Sequence, residues 1–114
     1  MRTRSLVLAL ALLAPAALAS PPACPVPSLY DKKCSVCHGD DGKGQTRMGR
    51  RFHAPDFSSS TWQAKAKDAT LRQVIEDGAV IDGQRRMPAW RDKLSPKEIS
   101  DLIYFVRGFG KAAK

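Results

Sequence analysis

The sequence has little cysteine, and what it has does not suit a disulfide framework. Three cysteines stand in 114 residues, Cys24, Cys34 and Cys37, an odd count for a stapled fold. Nor does it contain the roughly 20 uninterrupted apolar residues that a membrane-spanning helix requires. The apolar run at 6–18 is shorter and is interrupted by Pro15. Strand-like alternation and internal repeats are both missing, which leaves an all-α fold of short helices and long loops. Negative charge is scarce too, with 11 acidic residues against 19 basic ones.

What is present at the start is a leader. Met1–Ser5 is basic, 6–18 is apolar, and Ala17-Leu18-Ala19 puts small residues where a signal peptidase reads. That layout predicts a signal peptide over 1–19, cleaved after Ala19, and a periplasmic protein. Residues 20–28, SPPACPVPS, read as a proline-rich extended leader. Residues 29–114 then form one domain, since the chain has no room for two. Loss of Arg2 and Arg4 leaves 17 basic against 11 acidic residues, a net charge of about +6. Positive residues cluster at Lys43, Arg47, Arg50 and Arg51 and again at Arg85, Arg86, Arg91 and Lys93. For an exported monomer this suits an acidic or membrane-bound protein partner, not nucleic acid. Lipid anchoring at Cys24 is an alternative, although Pro21-Pro22-Ala23 matches a lipoprotein site poorly.

The elements follow from punctuation and periodicity. A short helix is expected over Leu29–Cys37 and a long loop from Gly39 to about Ser60. Such a loop in a small domain must wrap something. Asp68–Asp77 has apolar residues at helical spacing, with Asp68 or Thr70 to cap it and Gly78 to end it. Residues 78–94 read as irregular. Ser95-Pro96-Lys97-Glu98 is a capping box with proline at the first helical position. Ile99, Leu102, Ile103, Val106 and Phe109 follow on one face, and Gly108 or Gly110 closes the helix.

The chemistry sits in Cys34-Ser35-Val36-Cys37-His38. Zinc usually takes four ligands in two paired groups, and only Cys24 and His53 remain to complete a set. A thioredoxin-like dithiol belongs after a strand in an α/β fold, and no strand is evident. The third chemistry is covalent haem attachment. Two thiols three residues apart lie on one helical face and can add to the two vinyl groups of a haem, with His38 next in line as the proximal ligand. Cys-x-x-Cys-His is the attachment signature of c-type haem. The porphyrin would also supply the core that so small a domain lacks. For the opposite face of the iron the residues alone leave Met48, His53, Met87 and a lysine as candidates.

Cys34–Gly39, Asp41–Gly44, Ala54–Phe57, Met87–Trp90, Lys93–Ile99 and Tyr104–Arg107 together resemble the small bacterial class I cytochromes c. The resemblance runs over roughly residues 29–110. It implies the class I cytochrome c fold around one covalent haem c, with Met87 as the distal ligand and Cys34, Cys37 and His38 in their family roles. It also implies that Leu29 or Tyr30 packs against Leu102, Ile103 or Tyr104 where the terminal helices cross. The function implied is one-electron transport between redox proteins, without catalysis, since both axial positions are filled. The alternatives are a haem subunit of a periplasmic dehydrogenase or oxidase complex, and a gas sensor in which Met87 is displaced. Pro55 stands farther from the motif than the proline that orients the proximal histidine in many members, so that role is left unassigned. Trp62 and Trp90 are expected around the haem, and Arg50 or Arg51 could meet a propionate.

Overall fold

The computed structural model describes residues 25–112. The expected signal peptide, Cys24 and most of the proline-rich leader lie outside the described residues. The chain begins in α1 (Val26–Lys33), followed by α2 (Ser35–His38), α3 (Arg47–Phe52), α4 (Ser60–Lys65) and α5 (Asp68–Asp77). A hairpin of β1 (Ala79–Ile81) and β2 (Gln84–Met87) then leads to the long α6 (Pro96–Ala112).

Several boundaries differ from expectation, each for a local reason. α1 starts at Val26, three residues before Leu29, because Pro25 caps the helix and Pro27 falls in its first turn, where a missing N–H costs nothing. The extended leader therefore ends earlier than residue 28. The loop after Gly39 contains α3, started by Thr46, whose Oγ1 accepts from the Gly49 N–H at 2.8 Å. Asp68 does not cap α5; Lys67 holds that position, without a side-chain cap. Gly78 ends α5 as expected, at φ 74°.

Among the described residues the hairpin is the one departure from an all-helical fold. Asp82 and Gly83 both have positive φ, 51° and 73°, the two-residue turn whose twist suits antiparallel strands. Ala79 pairs with Met87 and Ile81 with Gln84, with a bulge after Ala79. Strands of three and four residues are too short for an alternating pattern to stand out.

α6 runs on through Gly108 and Gly110 to Ala112. Its start is the expected box: Ser95 N–H donates to Glu98 Oε2 at 2.8 Å, and Glu98 N–H to Ser95 Oγ at 3.1 Å. Ile99, Leu102, Ile103 and Val106 are buried together with Leu29 and Tyr30 of α1, Phe57 and Leu94. The crossing of α1 and α6 is thus confirmed, with one correction. Tyr104 is 77% exposed, and Tyr30 instead meets Phe105 and Phe109, ring centroids 4.9 and 5.4 Å away. The Tyr30 hydroxyl donates to the Gly39 carbonyl at 2.8 Å, which ties this crossing to the residue that follows the Cys-x-x-Cys-His turn.

Candidate functional site

Cys34 closes α1 and opens α2. The turn is wound tightly, with Cys37 N–H and His38 N–H both directed at the Cys34 carbonyl, at 3.2 and 3.0 Å. Gly39, at φ 77°, ends it and sends the chain away. A second segment clamps this turn from outside. Thr46 Oγ1 lies 2.8 Å from the Val36 carbonyl and 2.9 Å from that of Cys37, so its one proton serves both. Gly49 of α3 sits so close that a Cβ there would come within 2.2 Å of the Cys37 carbonyl oxygen. Gly44 N–H donates to the His38 carbonyl at 2.8 Å.

His38 is held by its ring as well. It stacks on buried Phe57 with centroids 4.6 Å apart and planes 16° from parallel. Burial pushes its pKa down to about 4, so the imidazole is neutral and keeps a lone pair to donate. Its Nδ1 is buried with no hydrogen-bond partner. Burial pushes the Cys34 thiol up to about 11, with nearby Cys37 adding to the rise, and burial raises Cys37 also. Thiols so disposed are poor nucleophiles, the reverse of a catalytic dithiol. Among the described residues no three His, Cys, Asp or Glu side chains converge on a metal position, so the donor set of a structural zinc is not assembled.

Cys34, Cys37 and His38, from one turn, and Met87, from a distant segment, all line one cavity of about 730 Å³. That volume is in the range of ~300–1,000 Å³ that takes organic cofactors and ligands. Its walls come from α1, the segment 52–57, α4, α5, the hairpin and α6, and are largely apolar: Phe57, Trp62, Leu71, Val74, Leu94, Leu102, Ile103 and Val106. Met87 ends β2 and is half-buried. The segment beyond it is pinned to α5, with Trp90 N–H on the Ile75 carbonyl at 2.9 Å and Arg91 N–H on that of Glu76 at 3.0 Å. An added Cβ on Gly78 would meet the Met87 carbonyl oxygen at 2.4 Å, so this loop also rests directly on backbone.

The other sequence candidates separate cleanly. His53 is exposed but lines the cavity, as do Lys33 and Lys65; Met48 does not. Trp62, Trp90 and Pro55 are on the wall as well. Arg50 and Arg51 are not, whereas Arg86 is. Thr46 and Gly49 carried no sequence signal of their own. The Asp-Phe at 56–57, quoted for its resemblance, marked Phe57, and Arg86 was marked only as one of a basic cluster. The cavity thus offers what a haem needs in shape and donors: apolar walls for the ring, two thiols and a neutral imidazole on one turn, and a thioether from another segment.

The family model described as cytochrome c oxidase, cbb3-type, subunit III matches residues 25–106. The chain belongs to that family. Among curated proteins, the cbb3-type oxidase subunit FixPc of Rhizobium leguminosarum bv. viciae is 37% identical over 83 residues, covering 72% of this chain and 26% of FixPc. The CcoP subunit of Azospirillum brasilense is 31% identical, with 73% and 27% covered. The cytochrome c subunit of a quinone alcohol dehydrogenase from Gluconacetobacter polyoxogenes is 29% identical, with 68% and 17% covered. The chain spans about a quarter of the length of the oxidase subunits it matches. Among solved structures, the KustC0563 c-type cytochrome superposes with a TM-score of 0.66 at 35% identity, over 73% of this chain and 94% of that one. This member of the cbb3 subunit III family is a small class I c-type cytochrome, and its cofactor is covalently bound haem c.

Proposed function

We propose that this cytochrome is the haem c relay of a membrane-bound respiratory complex, a terminal oxidase of the cbb3 kind, and carries single electrons without performing catalysis. The family match over residues 25–106 carries this reading, because the named relatives are oxidase subunits. Cys34 and Cys37 would hold the haem through thioethers, and His38 and Met87 would ligate its iron. When bound, the haem supplies one-electron chemistry between ferric and ferrous iron. Phe57 fixes the plane of the His38 ring, and the turn clamped by Thr46 and Gly49 fixes both cysteines. The hairpin and the α5 anchors present Met87, whose thioether as an iron ligand would raise the potential. The apolar walls would pack on the faces of the porphyrin.

A freely diffusing periplasmic carrier, exported by the leader at 1–19, is the second reading. It is favoured by one observation, that 94% of a small c-type cytochrome chain is covered by this domain alone. No described helix is long and apolar enough to cross a membrane, so the domain itself would sit at the membrane surface or beside it. Purification from the native host decides between the two. Recovery of this chain in stoichiometric amount with a detergent-solubilised oxidase supports the relay. Recovery in the soluble periplasmic fraction, with no oxidase subunit attached, overturns it in favour of the carrier.

A further inference from the structure

Arg86 is a half-buried cation with no anion among the described residues. It stands on β2 beside Met87, is half-buried, and lines the cavity. Its Nε–H is buried with no hydrogen-bond partner. The one hydrogen bond it makes among the described residues is long, 3.5 Å from Nη1 to the Arg51 carbonyl. Three arginines have carboxylates: Arg72 with Glu76, Arg91 with Glu76 and Asp77, Arg107 with Asp68; of those without one among the described residues, Arg85 and the arginines of α3 do not line the cavity. Arg86 has none among the described residues. A guanidinium stays charged at any accessible pH, and its planar fork of donors matches a carboxylate. Leaving such a donor dry and unpaired is unfavourable, so the cavity is built for an occupant that brings a negative oxygen to this wall.

Haem carries two propionate carboxylates. Arg50 and Arg51, the arginines that sequence pattern suggested for them, are spent elsewhere. Arg50 Nη1 donates to the Gln45 carbonyl at 2.5 Å, and the Arg51 guanidinium lies over the Phe52 ring, 5.4 Å from its centroid. Neither lines the cavity. We propose that the Arg86 guanidinium holds a haem propionate and thereby raises the reduction potential of the iron. The inference rests on the haem reading above. The sign follows from Coulomb's law: a propionate left unneutralised stabilises the extra positive charge of ferric iron, and a fixed cation on that propionate removes the stabilisation. Because Arg86 precedes Met87, the same short strand sets both the propionate contact and the distal loop.

The test uses matured holoprotein: wild type, Arg86→Gln and Arg86→Lys, titrated potentiometrically with visible spectra recorded throughout. Arg86→Gln is expected to shift the ferric-to-ferrous ratio at fixed solution potential about tenfold toward ferric, equivalent to about 59 mV for one electron. Arg86→Lys, which restores the charge, should recover most of that shift. The weak far-red band of sulfur on ferric haem should persist in all three, which separates lost propionate contact from lost ligation. An Arg86→Gln protein titrating with wild type, far-red band intact, overturns the proposal. A crystal structure of the wild-type holoprotein covers the case in which Arg86→Gln does not mature. A propionate oxygen within hydrogen-bond reach of Arg86 supports the proposal, and a guanidinium turned away from both propionates overturns it. Wild-type protein that matures without covalent haem overturns the cofactor reading itself, a result no Arg86 variant is needed to see.

Discussion

Gly49 offers the sharpest quantitative test of how the attachment turn is held. An added methyl would place carbon 2.2 Å from the Cys37 carbonyl oxygen and 2.3 Å from that of Gly44. Close carbon–oxygen contacts normally sit at about 3.3–3.6 Å, so both are roughly 1 Å too near. Overpacking by a methyl costs about 1–3 kcal/mol when side chains can yield. Here the obstacles are backbone, and both are already fixed. Cys37 O faces Thr46 Oγ1 at 2.9 Å, and the Gly44 N–H is bonded to His38 O at 2.8 Å. Gly49→Ala should therefore destabilise the holoprotein by about 3 kcal/mol, the top of that range. Gly108→Ala is the matched control, a glycine inside α6 with nothing within 4 Å of the added Cβ. It should stabilise by about 0.5–1 kcal/mol through helix propensity. Guanidinium unfolding of ferric holoprotein, followed by haem absorbance and far-ultraviolet dichroism together, measures both, and the denaturant slope must stay constant for the comparison to hold. A Gly49→Ala protein within about 0.5 kcal/mol of wild type, the range of an ordinary surface change, would refute the claim that backbone contact holds the turn.

Three further outcomes follow from named contacts. Met87→Leu should abolish the far-red band and let ferrous protein bind carbon monoxide at neutral pH; a band that survives would move the distal ligand to another sulfur, Met48. Arg107 joins α6 to the α4–α5 junction through the Gln63 and Ala66 carbonyls, at 3.0 and 2.5 Å, and Asp68 at 2.7 Å. Its replacement by Met should cost about 1–3 kcal/mol for the stranded carbonyls, whereas Asp68→Asn, at a carboxylate 71% exposed, should cost less than about 1 kcal/mol. Equal effects in thermal or denaturant unfolding would show that the ion pair, not the carbonyls, dominates. Ser95→Ala removes the acceptor for the Glu98 N–H at 3.1 Å and should lower stability by about 1 kcal/mol, read from the same unfolding curves.

The parts of the site that local chemistry dictates were legible in the sequence, and the parts that distant backbone dictates were not. Cys34, Cys37 and His38 must be close in sequence because one helical turn has to present all three, so their spacing alone announces them. The Ser95–Glu98 box is equally local. Met87 could be singled out only by resemblance, since a methionine ligand has no spacing rule tying it to His38. Thr46 and Gly49 gave no warning, because their importance lies in α3 meeting the carbonyls of a turn that ends eight residues before Thr46. Arg86 was hidden in a chain with 19 basic residues; only its unpartnered Nε–H and its place on the cavity wall set it apart. The hairpin could have been suspected from Asp82-Gly83, but Val80 and Ile81, 58% and 52% exposed, make too short a run to read as a strand.

The same contrast explains how so small a domain supports such long connections. Among the described residues eight apolar side chains make up the buried core, and the cavity beside them measures about 730 Å³. Its walls are largely apolar, so left against water they weaken a domain whose core is already small. A porphyrin seated there would cover those walls and add the core that the polypeptide lacks. That requirement places the anchoring chemistry where it is found. Cys34 closes the very helix whose Leu29 and Tyr30 meet α6, and Cys37 lies on the turn that follows, so the residues assigned to hold the haem border that crossing. Attachment and folding are thereby written into the same dozen residues, and the loops that follow need only wrap a surface already in place.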